Sequence, residues 1–238
     1  MQTHRAAEIA ENMPVRAAGP EAIAGIIDQT LLKPEATAAQ IRNLCREALE
    51  FGFAAVCVNP AWVPLCVSEM AGSRVSVASV TGFPFGATMT EAKVHETAAL
   101  VRCGAREIDM VIHTGALRSG ELDIVKADIQ CVVEVAHGAG ALVKVIIEAA
   151  VLDDKQKAVA CVLAKMAGAD FVKTSTGFGP GGATAHDVAL MRATVGPDMG
   201  VKAAGGIRSL EDFQAMRRAG ANRIGTSAGA AIVEAARR

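Results

Sequence analysis

No tyrosine occurs anywhere in the chain, and aromatic residues make up only 3% of it. The hydrophobic share of 51% therefore rests on Ala, Val, Ile and Leu, a composition suited to small helices packed on a buried parallel sheet. None of the six cysteines (45, 57, 66, 103, 131 and 161) forms a CxxC pair, which excludes the common zinc and disulfide frameworks and leaves buried, reduced thiols. The five histidines (4, 95, 113, 137 and 186) have neither HxxxH nor HxH spacing, so no metal site and no cofactor is expected. Charge of neither sign dominates: 24 basic residues face 25 acidic ones, with no basic stripe to suit a nucleic acid. There is no run of 18 apolar residues and no apolar leader in the first 20 positions, so a soluble cytoplasmic protein without membrane contact is expected. No GxGxxG follows an early strand, which counts against a dinucleotide-binding open sheet.

What is present is a repeated unit. Short apolar or alternating runs fall near 26–31, 53–58, 75–80, 106–112, 142–148, 170–174, 199–203 and 222–225. Between them lie segments of helical period at 38–51, 88–103, 121–137, 153–167, 184–194 and 209–219. Gly104-Ala105, Gly140-Ala141, Gly168-Ala169 and Gly220-Ala221 stand just before strands, where glycine ends a helix. Eight strand units alternating with helices in 238 residues predict an α/β fold, a single (β/α)8 TIM barrel. The barrel domain is expected over 21–238, with 1–20 an N-terminal extension that is flexible or a short helix.

A barrel strand turns alternate residues toward the helices and toward the barrel axis. In 108–113 the outward set is Ile108, Met110 and Ile112, leaving Asp109, Val111 and His113 inward. The same alternation turns Lys173 and Lys202 inward, and Lys144 with Glu148. One lysine so placed is ordinarily a strand-end residue reaching solvent. Three, with one carboxylate, are not, because buried charges need partners or a task. Asp109 can neutralise one lysine but not three.

A lysine attacks a carbonyl only as the free amine. At pH 7 and a reference pKa of ~10.4, a few molecules in ten thousand are in that form. A neighbouring ammonium and partial burial disfavour the charged state, and each unit of pKa lost raises the reactive fraction about tenfold. The pair Lys173 and Lys202 thus suits imine chemistry, one as nucleophile and the other holding charge; spacing alone does not say which. Asp109 is placed to shuttle protons.

Barrels commonly bind phosphate in the loops after the last two strands. Here those loops read Gly205-Gly206-Ile207-Arg208 and Gly225-Thr226-Ser227, each followed by a helix whose N-terminus favours an anion. A third glycine-rich stretch, with Thr176 and Gly177, follows Lys173 directly. Expected phosphate contacts are therefore Thr176, Gly177, Gly205, Gly206, Arg208, Gly225, Thr226 and Ser227. Cys57 shares an inward register with Lys144 as cavity lining, where it either packs or meets unsaturated aldehydes.

These segments resemble the deoxyribose-phosphate aldolase family, collinearly over about 26–230. The likeness is carried by 27–34, 56–60, 82–86, 107–112, 144–148, 170–178, 201–208 and 223–227, and most specifically by the stretches around Lys173 and Lys202. It implies that Lys173 forms the Schiff base, Lys202 lowers its pKa, and Asp109 is the acid/base. It also implies reversible cleavage of 2-deoxy-D-ribose 5-phosphate to D-glyceraldehyde 3-phosphate and acetaldehyde, in deoxyribonucleotide catabolism, by a homodimer. The sequence departs from the family's usual pattern at Gln29, His113 and Ala204, and it lacks a C-terminal tyrosine. Two other readings are a non-catalytic phosphosugar-binding barrel and another imine-forming barrel, an aldolase or transaldolase.

Overall fold

A computed structural model describes residues 19–238. Its strands are β1 (Ile27–Leu31), β2 (Ala55–Val58), β3 (Ser76–Thr81), β4 (Glu107–Val111), β5 (Leu142–Ile146), β6 (Phe171–Lys173), β7 (Gly200–Ala204) and β8 (Arg223–Thr226). They form one closed parallel barrel in chain order, and β8 returns to β1 with Ile27 opposite Ile224 and Asp28 opposite Gly225. This is the expected (β/α)8 architecture. Each expected apolar run contains or overlaps its strand.

The alternation of side chains explains the layers. Ile108, Met110 and Ile112, then Val143, Val145 and Ile147, then Val172, Val201 and Ala203 all join the main apolar core between sheet and helices. The helices that cover it are α1 (Pro20–Ala24), α2 (Ala38–Phe51), α3 (Val63–Glu69), α4 (Thr90–Arg102), α5 (Thr114–Arg118), α6 (Leu122–Gly138), α7 (Asp154–Met166), α8 (Ala185–Val195), α9 (Leu210–Arg218) and α10 (Gly229–Ala236). Capping boxes start three of them: Thr37 with Gln40, Asp153 with Gln156, and Ser209 with Asp212. Most of the expected extension lies outside the described residues. At its edge Pro20 opens α1, which buries Ile23 and Ala24 and packs on α10.

Beneath the core the interior divides in two. Leu32, Ala55, Cys57, Ala78 and Val80 make a small apolar cluster of their own, with Phe83 packed against it. The buried charges lie on the remaining strands, from β4 round to β8 and β1. Gly200 on β7 lies opposite Phe171 on β6, whose ring fills the space beside it; a Cβ there would stand 2.1 Å from the ring.

Candidate active site

Six strands contribute ionisable side chains to the barrel interior. They are Asp28 on β1, Glu107 and Asp109 on β4, Lys144 on β5, Lys173 on β6, Lys202 on β7 and Arg223 on β8, all buried. Register sets them beside one another: Asp109 lies opposite Lys144, Lys173 opposite Lys202, and Lys202 opposite Arg223. The three expected lysines and Asp109 therefore do converge. Asp28, Glu107 and Arg223 were not anticipated from sequence, although each shares the inward parity; Glu107 sits two residues before Asp109 and Arg223 precedes the outward Ile224.

The pairing is specific. Asp109 Oδ1 accepts from Lys144 Nζ at 2.7 Å, while Oδ2 accepts from Lys173 at 2.8 Å and Lys202 at 2.6 Å. Lys202 also reaches Asp28 Oδ2 at 2.5 Å, and Lys144 reaches Glu107 Oε2 at 2.6 Å. Arg223 bridges Asp28 through Nε and Glu107 through Nη2, at 2.5 and 2.7 Å. Lys144, Lys202 and Arg223 thus each touch two carboxylates within hydrogen-bond reach. Lys173 touches one, and shares its oxygen.

Counting charges gives the consequence. Four cations face three carboxylates, so full ionisation would leave an unbalanced positive charge in the interior. The amine with the weakest claim to a counter-ion is Lys173. Burial, with the Lys202 ammonium beside it, holds the Lys173 pKa below the ordinary lysine value despite Asp109. Burial opposes the charge on Lys144 and Lys202 as well, yet Asp109 with Glu107, and Asp109 with Asp28, raise both. Asp109 would be raised by burial, but the lysines around it, Lys144 foremost, hold it well below the carboxylate range. With Lys173 neutral, three cations balance three anions.

Cys57 is buried in the apolar cluster, and burial together with Asp109 pushes its thiol up, so it stays protonated at neutral pH. His113 is half-buried. It lies past the end of β4, where its Nδ1 accepts the Ala116 N–H at 3.2 Å and caps α5.

Around the barrel mouth the expected phosphate residues separate into two groups. Gly177, Gly206, Arg208 and Ser227 are exposed there. The others hold the loops in place. Thr226 Oγ1 donates to the Ile207 carbonyl at 2.7 Å, tying the two last loops together. Gly225 is packed against Lys202, whose Cε would stand 3.1 Å from a Cβ at that position. Gly205 accepts the Ala183 N–H at 3.0 Å, linking the β7 loop to the β6 loop. Thr176 gives both its hydroxyl and its N–H to Glu148 Oε2. Glu148 itself has φ 52°, the single non-glycine residue with positive φ among those described. A left-handed residue at a site of this kind costs of the order of 1–3 kcal/mol. The loop it holds carries Phe178 to Phe83 beyond β3, where the rings meet edge to face, 5.4 Å between centroids.

Away from the barrel mouth, Asp154, His186 and Asp187 come together between α7 and α8. Lys157 Nζ stands among them, 3.0 Å from Asp154 and 2.7 Å from Asp187. An ammonium already holds the place of a cation.

The DeoC/LacD family of aldolases matches the chain over residues 23–235. The chain belongs to that family of aldolases. Among relatives, the deoxyribose-phosphate aldolase of Streptococcus gordonii is 60% identical over 208 residues, 87% of this chain and 94% of that protein. That of Thermococcus gammatolerans is 60% identical over 217 residues, covering 90% and 96%. The tetrameric deoxyribose phosphate aldolase structure from Aeropyrum pernix, 36% identical, superimposes with a TM-score of 0.87 over 99% of this chain and 98% of that one. The aldolase family and the buried lysine cluster are thus found in one barrel.

Proposed function

We propose that the protein is a deoxyribose-phosphate aldolase that cleaves 2-deoxy-D-ribose 5-phosphate reversibly through a Schiff base on Lys173. The observation that carries this reading is the single, shared carboxylate contact of Lys173 inside a cluster with one cation in excess. Neutral Lys173 Nζ adds to the C1 carbonyl of the open-chain sugar, and the carbinolamine loses water to give a protonated imine. The C3 hydroxyl then loses its proton, the C2–C3 bond breaks, and its electron pair flows into the imine to form an enamine. D-Glyceraldehyde 3-phosphate departs. A proton returned to C2 and addition of water release acetaldehyde and the free amine.

Lys202, held charged, is the proton donor for carbinolamine dehydration, and Asp109 links it to Lys173 through one oxygen. Lys144 holds the other oxygen of Asp109. The exposed backbone of Gly177 and Gly206, with Arg208 and Ser227, receives the phosphate, while Gly205, Gly225, Thr176 and Thr226 shape the loops that present them. The same proposal includes a cytoplasmic homodimer and a single catalytic barrel over 21–238. No helix among the described residues is long and apolar enough to cross a membrane.

The test is borohydride trapping with acetaldehyde, followed by mass spectrometry of peptides. A reduced ethyl adduct on Lys173, absent in Lys173→Ala together with retro-aldol activity, is the expected result. An adduct elsewhere, or a fully active Lys173→Ala enzyme, refutes the assignment.

A further inference from the structure

The loop after β8 is braced from two sides. On one side Thr226 holds it to the β7 loop. On the other stands Gln29 of β1, only 2% exposed and without a place in the mechanism above. Its Oε1 accepts the Gly229 N–H at 3.1 Å, at the start of α10. Its Nε2 donates to Glu47 Oε2 on α2 at 2.8 Å and to the Ser227 carbonyl at 3.4 Å.

The polarity of these partners leaves the amide one orientation. A carboxylate and a carbonyl only accept, so the NH2 must face them and the oxygen must face the N–H. Glu47 is held in turn by Asn43 Nδ2 at 2.8 Å, so the amide is anchored on α2. On the loop side there is no slack, because a Cβ on Gly229 would lie 2.6 Å from Gln29 Oε1. A line of hydrogen bonds therefore runs from α2 through Gln29 to Ser227 and the first turn of α10. Ser227 is the exposed member of that loop, at the barrel mouth.

We propose that Gln29 is a positioning residue for phosphate recognition: by fixing Ser227 and the start of α10 it sets the preference for the phosphorylated over the unphosphorylated sugar. This rests on the reading of the last two loops as the phosphate cradle. Gln29 touches no reacting atom and leaves the lysine cluster alone, since Lys173 and Lys202 are held by Asp109 and Asp28. Its loss is felt at the far end of the substrate from the imine.

The experiment is steady-state retro-aldol kinetics on 2-deoxyribose 5-phosphate and on 2-deoxyribose, for the native protein, Gln29→Met, Glu47→Gln and Ser227→Asp. Gln29→Met should raise KM for the phosphorylated sugar about five- to tenfold, the scale of one or two lost hydrogen bonds. Its kcat, and its kcat/KM on 2-deoxyribose, should stay unchanged. Glu47→Gln should move the same KM in the same direction by less. Ser227→Asp places a negative charge in the cradle itself and should raise that KM whatever Gln29 does. If Ser227→Asp has no such effect, the cradle reading falls and the role of Gln29 falls with it. If Ser227→Asp acts while Gln29→Met does not, or if Gln29→Met depresses both substrates alike, the cradle stands and the proposal is overturned. Should Gln29→Met fail to fold, the two KM values of Glu47→Gln decide by the same criterion.

Discussion

A buried lysine keeps a useful population of free amine only where its surroundings disfavour the ammonium, and Lys173 has two such influences, burial and Lys202. Asp109 works against them, so the balance is sensitive to the neighbours of Asp109. Lys202→Leu removes the opposing charge and returns Asp109 more fully to Lys173. The Lys173 pKa then rises, a higher pH is needed to free the amine, and the acid limb of kcat/KM should move to higher pH. A pH–rate profile that stays in place would refute this role for Lys202. The residues of this balance were legible in sequence to different degrees. Lys144, Lys173, Lys202 and Asp109 stood out because a period of two turned them all inward among apolar neighbours. Asp28, Glu107 and Arg223 have the same parity but each reads, alone, as an ordinary strand-end charge. The part played by Glu148 was not legible at all, since it depends on a left-handed backbone and on the packing of another loop.

Strands and helices were more legible than the turns between them. A period of 2 or 3.6 is visible over many residues, whereas α3 has only seven residues with Pro64 in its first turn, and α5 has only five, too few to register a period. Nor does sequence reveal which glycines admit a neighbour. Gly200 has an ordinary strand position, yet Phe171 on β6 occupies the space its Cβ would need. Gly200→Ala must displace that ring or separate β6 from β7, the two strands that carry Lys173 and Lys202. Overpacking of this kind costs roughly 1–3 kcal/mol. Urea unfolding should show the loss in the midpoint with an unchanged slope, and a midpoint equal to the native one would contradict the tight β6–β7 contact.

At the scale of the whole barrel, the charge cluster joins six of the eight strands, so stability and chemistry share residues. Arg223→Met leaves Asp28 and Glu107 without their bridge, and breaking a buried pair of this type costs about 3–5 kcal/mol. The cluster also sets the acid response. Burial would raise Asp28, Glu107 and Asp109, but their cations hold all three below ordinary carboxylate values. Groups lowered in the folded state contribute stability that is complete above their unfolded pKa, about 3.9–4.3. That contribution is lost as pH falls from there through the folded values. Chemical denaturation measured from pH 7 to 3 should therefore show stability falling below about pH 4, and a shallower fall in Arg223→Met. A native protein with no acid loss would overturn the account. The excess of one cation over the three carboxylates has a further result. Lys144→Met removes a positive charge that reaches Lys173 only through Asp109, yet Lys173 is then required to balance the anions and should become protonated and inactive. Adding Glu107→Gln restores the excess, and turnover at neutral pH should return in the double variant; persistent inactivity there would show that Lys144 matters for something other than charge. Over generations of mutation, such an interior cannot change one position at a time. Its members can drift only as compensated couples, and the reactive amine survives as the remainder of a sum that several strands keep jointly.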